Sequence, residues 1–269
     1  MNEWMGSLLL LKNTAIMTYL LKGIAFTLII SVLAVVVSII WGSVLALVRN
    51  YCTSKGKRIF RWLAAVYIEV FRNTPLLFWI FIGLVFFPTP ALFAHPLFGL
   101  SSVETKLLFK ATLALTVFTS AIVAEIIRGG LNSIPQGQFE AGYSQGFSTV
   151  QVMLYIILPQ AYRNAVPTLL SQVITTIKDS SFLANVATIE LMARVKKILS
   201  NASIYNGTGT INVSDVFVLF GLAALLYFII NYTLSCVVRR MQRQTQTTVQ
   251  TCPSLTTGKV QPAAGENAG

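Results

Sequence analysis

Charge is what this sequence lacks first. Of its 269 residues only 11% are Asp, Glu, Lys or Arg, while 55% are hydrophobic. A soluble domain carries about 25% charged residues. A soluble chain of this make-up would expose large apolar patches and aggregate, and disordered, collagen-like and disulfide-stapled secreted chains are excluded as well. Histidine is almost absent. The single one, His95, excludes a histidine-rich metal site and reads as a loop residue. The three cysteines, Cys52, Cys236 and Cys252, form no CxxC and no framework. Cys236 lies in an apolar run, where it behaves as a small hydrophobe. The net charge of +11 makes a poor case for nucleic-acid binding in so apolar a chain. There is no GxxxxGK[ST], so the chain does not itself cradle ATP phosphates; Gly56-Lys57 and Gly258-Lys259 lack the upstream glycine. An intramembrane enzyme has no support either, because HExxH, a Ser/His pair and a carboxylate dyad are all missing.

What the chain does have is long apolar runs. Gly23 to Val48 is 26 residues without a charge, a transmembrane helix on hydropathy. It is too long for a signal-peptide core and is expected to remain in the mature protein. Arg49, Lys55, Lys57, Arg58 and Arg61 follow it and mark the cytoplasmic side. A second span is expected over Leu63 to Phe87, kinked by Pro75, with Glu69 and Arg72 close enough on the helix surface to pair. Charges there require a protein or water-lined face. Pro88 to Ser102 reads as an external loop whose aromatic neighbours are packing or lipid-facing. The third span is expected at Leu107 to Ile127, ending in a Glu125–Arg128 pair. The fourth is Val152 to Ile177, interrupted by Pro159 and Pro167.

Ser180 to Asn212 is mixed. A short amphipathic helix, Ile189 to Leu199, is expected at the membrane interface. The fifth span, Val216 to Val238, is 23 residues without a charge, and Arg239, Arg240 and Arg243 mark a cytoplasmic end. The expected fold is all-α and integral to the membrane: five transmembrane helices, N-terminus outside and C-terminus inside. One cluster disagrees. Arg194, Lys196 and Lys197 fall on the external side, so either the positive-inside rule yields there or Ser180 to Leu199 dips back into the protein. The expected organisation is a 1–19 external segment, a 20–243 transmembrane domain with cytoplasmic helices near 135–150, and a 244–269 tail. That tail is rich in Gln, Thr, Pro, Gly and Ala and is expected to be disordered.

The polar stretch after span three reads Gln138-Phe139-Glu140-Ala141-Gly142-Tyr143-Ser144-Gln145-Gly146, with Ile156-Ile157-Leu158-Pro159 ten residues on. A short helix is expected around Phe139 to Ser144, with small residues at Ala141 and Gly142 admitting a partner closely and Gly146 ending the helix at positive φ. These residues resemble the cytoplasmic signature of ABC-importer permease subunits, with Gly142 where the family has alanine. The resemblance extends to the family's polar amino-acid branch. It is carried by Phe71-Arg72-Asn73-Thr74-Pro75-Leu76, Ala124 to Gly130, Ser133-Ile134-Pro135, Leu158 to Arg163 and Ile177-Lys178-Asp179-Ser180-Ser181, and it covers about residues 20 to 240.

The resemblance implies a type I ABC-importer permease in the cell membrane, importing a polar amino acid. It also implies the partners: a second permease subunit, identical or related, two ATPase subunits that bind ATP and Mg, and an extracytoplasmic amino-acid-binding protein. The coupling residues it implies are Glu140, Ala141, Gly142, Gly146, Leu158 and Pro159. For the substrate it implies Asp179, facing an α-ammonium, the alternative being a local pair with Lys178 or a helix-end interaction; Gln172, two helical turns earlier on the same face, is either a substrate contact or a packing amide between helices. Family members that move cationic amino acids carry Glu at that position; the amide here favours glutamine or glutamate. Arg72 is expected to meet a substrate carboxylate, or else to pair structurally with Glu69, and Thr74 belongs to the same element. The alternative is a self-sufficient secondary carrier or channel, which normally needs more spans or an internal repeat.

Overall fold

The computed structural model describes residues 3–52, 55–96, 99–186, 188–205 and 209–250, and among them there are helices and connections but no strand. Helix α1 (Glu3–Lys12) leads into α2 (Thr14–Tyr51), whose first turn is capped by the Asn13 side chain accepting from the N–H groups of Ala15 and Ile16. The first long helix thus begins nine residues before Gly23. The expected external segment is itself helical. It packs on the start of the last helix, with Ser7 Oγ 2.6 Å from Asp215 Oδ1.

Where one kinked span was expected at Leu63 to Phe87, there are two helices, α3 (Arg58–Arg72) and α4 (Leu76–Phe86), meeting at 113°. Pro75 offers no N–H and drives Thr74 out of the α region, so the chain breaks rather than bends. The freed groups are re-satisfied locally. Asn73 donates its backbone N–H and its Nδ2 to Glu69 O, and Thr74 Oγ1 donates to Val70 O while accepting from Trp79 Nε1, both at 2.6 Å.

Helix α5 (Ser102–Asn132) opens on a Ser101/Glu104 capping box. It runs parallel to α2: Ser38 Oγ donates to Thr116 O and Asn50 Nδ2 to Asn132 Oδ1. The approach is close because Gly42 has no side chain; a Cβ there would lie 2.9 Å from Ser120 O. The next elements are α6 (Gln136–Ser144), the short α7 (Thr149–Gln151), a π-helical stretch Val152–Ile157, and α8 (Leu158–Asp179). A 3₁₀ turn, Ser180–Val186, then joins α8 to α9 (Leu191–Ser200), α10 (Ala202–Tyr205) and α11 (Val213–Gln250). Residues 251–269 of the expected tail lie outside the described residues.

The largest departure from expectation is the path from α8 to α9. Helix α8 starts beside Gly130, near the end of α5, where a Cβ would meet Ala161 O at 2.5 Å. It ends at Asp179. Leu183 in the following turn packs among Ile30, Ala34, Ala111 and Leu115. Leu191 N–H then bonds Thr27 Oγ1, and Arg194 reaches Tyr19 O. Helix α8, the turn and α9 therefore climb alongside α2 as one discontinuous rod. The amphipathic stripe of α9 does not lie on an interface. Leu191, Val195 and Ile198 are buried against Leu10, Ile16 and Leu20 on one side and Leu219 and Ala223 of α11 on the other. A single amphipathic period does not distinguish a lipid surface from a cleft between two helices.

Among the described residues three helices, Thr14–Tyr51, Ser102–Asn132 and Val213–Gln242, are long and apolar enough to cross a membrane, and the bent pair of α3 and α4 makes up to a fourth. Ile29, Val32, Leu33, Val36 and Ile40 on α2 are all about half exposed or more, a continuous apolar face that water does not tolerate. The bundle has two unlike ends. The basic end carries Arg49, Arg128 and α6; the opposite end carries Thr14, Ser101 and the start of α11.

Candidate functional site

Helix α6 stands on the basic end. Its last carbonyls are closed by the N–H groups of Gln145, Gly146 and Phe147, the last reaching Gly142 O at 3.2 Å. This closure needs a left-handed residue, and Gly146 supplies it with φ +82, as its place in the motif predicts. Glu140 and Ala141 are exposed. Gly142 is not: it faces inward, where a Cβ would lie 2.9 Å from Val152 Cγ2 and 3.0 Å from Ile156 Cδ1. Its small size serves the chain's own packing, contrary to the expected partner contact. Leu158 packs on the core around Ile127, Leu131 and Val152, and Pro159 follows directly on the π-helical stretch Val152–Ile157, whose altered bonding, with Leu158 N–H to Met153 O, accommodates its missing N–H. Gln160 Nε2 donates to Gln138 Oε1 at 3.2 Å. Helix α6 is thereby tied to the root of α8.

Beside this root lies a charge cluster centred on Glu125. Its carboxylate accepts from Arg49 and, at 2.7 Å, from Arg128, with Arg72 at 3.7 Å. Glu69 pairs with Arg49 at 3.0 Å. The expected Glu125–Arg128 pair is present, but Glu69 and Arg72 do not pair with each other. The helix break turns Arg72 toward α5, and Arg49 from α2 takes Glu69 instead.

Helix α8 is the polar element of the bundle. Asn164, Thr168, Ser171 and Lys178 form an exposed stripe at helical spacing, with Thr175 partly exposed between them. Its lower part opens on a cavity of about 540 Å³ between α5 and α8, lined by Glu125, Gly129, Ser133, Arg163, Asn164 and Thr168. Gln172 is on the other side, 8% exposed and packed inward, with its Nε2 lacking any hydrogen-bond partner among the described residues. Thr119 Oγ1 on α5 is unpartnered as well. Asp179 is half-buried at the upper end of α8, where the rod breaks, and forms no ion pair with Lys178.

The four predicted substrate residues are not gathered in one pocket. Arg72 is held by Glu125, whereas Asp179 precedes a turn that packs at Ala111; these two levels are about 21 Å apart along α5. The Thr74 hydroxyl is committed to the helix break.

Sequence reasoning missed a second buried cluster. Glu190 is fully buried and caps α9, accepting from the N–H groups of Met192 and Ala193 at 2.8 and 2.6 Å, and from Tyr227 Oη at 3.1 Å. Arg194, 7% exposed, donates to Ile189 O and Tyr19 O and lies 4.3 Å from the Tyr19 ring centroid. An acidic residue just before a helix is a legible cap signal. Tyr227, 37 residues away, carries no such signal.

Discontinuous helices, a polar face left on one of them and apolar faces around the outside define a membrane permease subunit. The chain belongs to the family of binding-protein-dependent transport system inner membrane components, which it matches over residues 38–247. It is 36% identical to the probable glutamine ABC transporter permease protein GlnP of Bacillus subtilis (strain 168), over 85% of this chain and 95% of that one. It is 35% identical to the glutamate/aspartate import permease protein GltK of Escherichia coli O157:H7, over 84% and 93%. A crystal structure of an amino acid ABC transporter with histidines superposes with a TM-score of 0.67 at 27% identity, covering 85% of this chain and 94% of that one. An inward-facing MetNI methionine ABC transporter shares the fold, with a TM-score of 0.61 at 19% identity over 85% and 99%. The family resemblance read from the motifs is therefore correct.

Proposed function

We propose that this chain forms half of the pathway of an ATP-driven importer for a polar amino acid, glutamine or glutamate in preference to a cationic one. The observation that carries this is α8. A polar stripe exposed on a helix inside an apolar bundle is untenable against lipid, and it ends at an unpaired carboxylate where the rod breaks. A second permease subunit covering the stripe turns it into a water-lined passage. Asp179 stands at the carboxyl end of a half-helix, whose partial negative charge adds to its own, and together they hold an α-ammonium group. Gln172, whose unsatisfied amide lies on the inward side of α8, reads the side chain once rocking turns that side of α8 toward the passage. Arg72 acts structurally through Glu125. The relatives named for glutamine and for glutamate and aspartate support this substrate class.

In this reading the chain crosses the membrane five times, with α8 and α9 together making the fourth crossing. The N-terminus is outside, and the basic end faces the cytoplasm. Helix α6 offers Glu140 and Ala141 to one of two ATPase subunits, which bind the ATP and Mg. Their closure pushes α6 and, through Gln138–Gln160 and the Gly142 contact, rocks α8. An extracytoplasmic binding protein delivers the amino acid.

The test is uptake by the reconstituted complex. Asp179→Asn should cut glutamine or glutamate uptake about tenfold or more, the worth of one lost charge-assisted contact, with the complex still assembled. Unchanged uptake removes Asp179 from the passage. Uptake that persists when the ATPase is left out establishes a self-sufficient carrier instead.

A further inference from the structure

At the opposite end from α6, the first turns of α2 and α5 and the middle of α9 enclose a cavity of about 370 Å³. Its lining carries both signs of charge. Glu104 enters from α5, and Lys196 and Lys197 enter from α9, with Tyr19 from α2 and the hydroxyls of Thr188 and Ser200. Most of these groups are already bonded: Lys196 Nζ donates to Asn185 Oδ1, Thr188 to Leu183 O and Ser200 to Lys197 O. Three are not. Glu104 uses only Oε2 in its capping box with Ser101, leaving Oε1 open. Lys197 Nζ and Tyr19 Oη have no hydrogen bond among the described residues. The Lys197 charge acts on the Glu104 carboxylate, yet the two form no direct ion pair. A carboxylate and an ammonium that line one cavity without closing into an ion pair match a ligand carrying the reverse pair.

We propose that this cavity is an outer subsite for a free zwitterionic α-amino acid, distinct from the Asp179 passage. The α-ammonium is taken by Glu104 Oε1, and the α-carboxylate by Lys197 Nζ with Tyr19 Oη. An adjoining cavity of about 320 Å³ shares Tyr19 and Lys197 and continues to Asn13 and Asn201. Asn13 spends its Oδ1 on capping α2, and Asn201 spends its Nδ2 on Lys197 O. That leaves the Asn13 Nδ2 as donor and the Asn201 Oδ1 as acceptor, the complement of a side-chain carboxamide. The subsite therefore takes glutamine with its side chain toward α1. The inference rests on the reading that the transported solute is an amino acid.

The test is equilibrium binding of labelled glutamine to the reconstituted complex in nanodiscs, without its binding protein. The comparison is between the wild type, the Glu104→Gln/Lys197→Gln double variant and Asp179→Asn. Glu104→Gln retains an oxygen for the Ser101 cap, so the start of α5 is preserved. The double variant should lose one bound glutamine per chain, Asp179→Asn should lose the other, and N-acetylglutamine, which has no ammonium, should not compete at the outer subsite. Equal stoichiometry in the wild type and the double variant, or competition by N-acetylglutamine equal to that by glutamine, overturns the proposal. Full stoichiometry in Asp179→Asn together with loss in the double variant leaves the subsite standing and refutes the passage reading instead.

Discussion

The two ends of the bundle bury charge in opposite ways. At the basic end, Glu125 is surrounded by Arg49, Arg72 and Arg128, and the charges answer one another. Higher up, Glu190 and Arg194 lie within one helical turn of each other and form no ion pair. Each is satisfied by backbone: Glu190 by two amide N–H groups and a tyrosine hydroxyl, Arg194 by two carbonyls and an aromatic face. The difference follows from the chain around them. At the basic end α2 and α5 have their own backbone groups paired, and the carbonyls freed where α3 breaks are taken by Asn73 and Thr74, so only side chains are available as partners. Around α9 the rod is broken, and a break leaves free amides and carbonyls. The Glu125 cluster can re-pair as helices shift, because each arginine has several ways to meet a carboxylate. The α9 cluster, bound to backbone groups, fixes one geometry.

The strongest way to break this contrast is Glu125→Ala. It leaves Arg72 and Arg128 without their carboxylate and Arg49 with Glu69 alone, and should cost about 3 kcal/mol of stability, read as a large fall in the thermal unfolding midpoint of the detergent-solubilised complex; a change near zero would show that the cluster is solvated decoration. Next is Arg194→Met, which keeps the aliphatic packing near Gly23 but leaves the Ile189 and Tyr19 carbonyls without their donor. About 2 kcal/mol should be lost, with little dependence on salt, since no ion pair is involved. A strong salt dependence in the wild type that vanishes in the variant would contradict the backbone-bound description. The smallest effect belongs to Glu69→Gln. Its carboxylate is half exposed beside Arg49, so stability should change by no more than about 0.5 kcal/mol, and a loss matching that of Glu125→Ala would make the cluster a single cooperative unit.

Much of this was legible along the chain. The uncharged runs of α2 and α11 announce themselves, since a helix facing lipid must be apolar over its whole length. Gly146 was readable because only a left-handed residue closes a helix that sharply. The Leu63–Phe87 stretch was legible as interrupted, but Pro75 alone does not say whether a helix kinks or turns through 113°; the bonds of Asn73 and Thr74 decide it. The Glu69–Arg72 pair was misread because spacing on one helix says nothing about a competing arginine on another. Gly142 was assigned to a partner's approach, yet Val152 and Ile156 of this chain fill the space.

The sequence by itself determined that the chain lives in lipid, which of its ends is basic and where its surface helix stops. Each of these depends on the composition or turn chemistry of one local segment. Only the tertiary structure decided that α9 climbs beside α2 instead of lying flat, that Arg72 serves Glu125, and that Glu104 and Lys197 line one cavity without pairing. Those are relations between segments far apart in the chain, and they are set by which helices pack together.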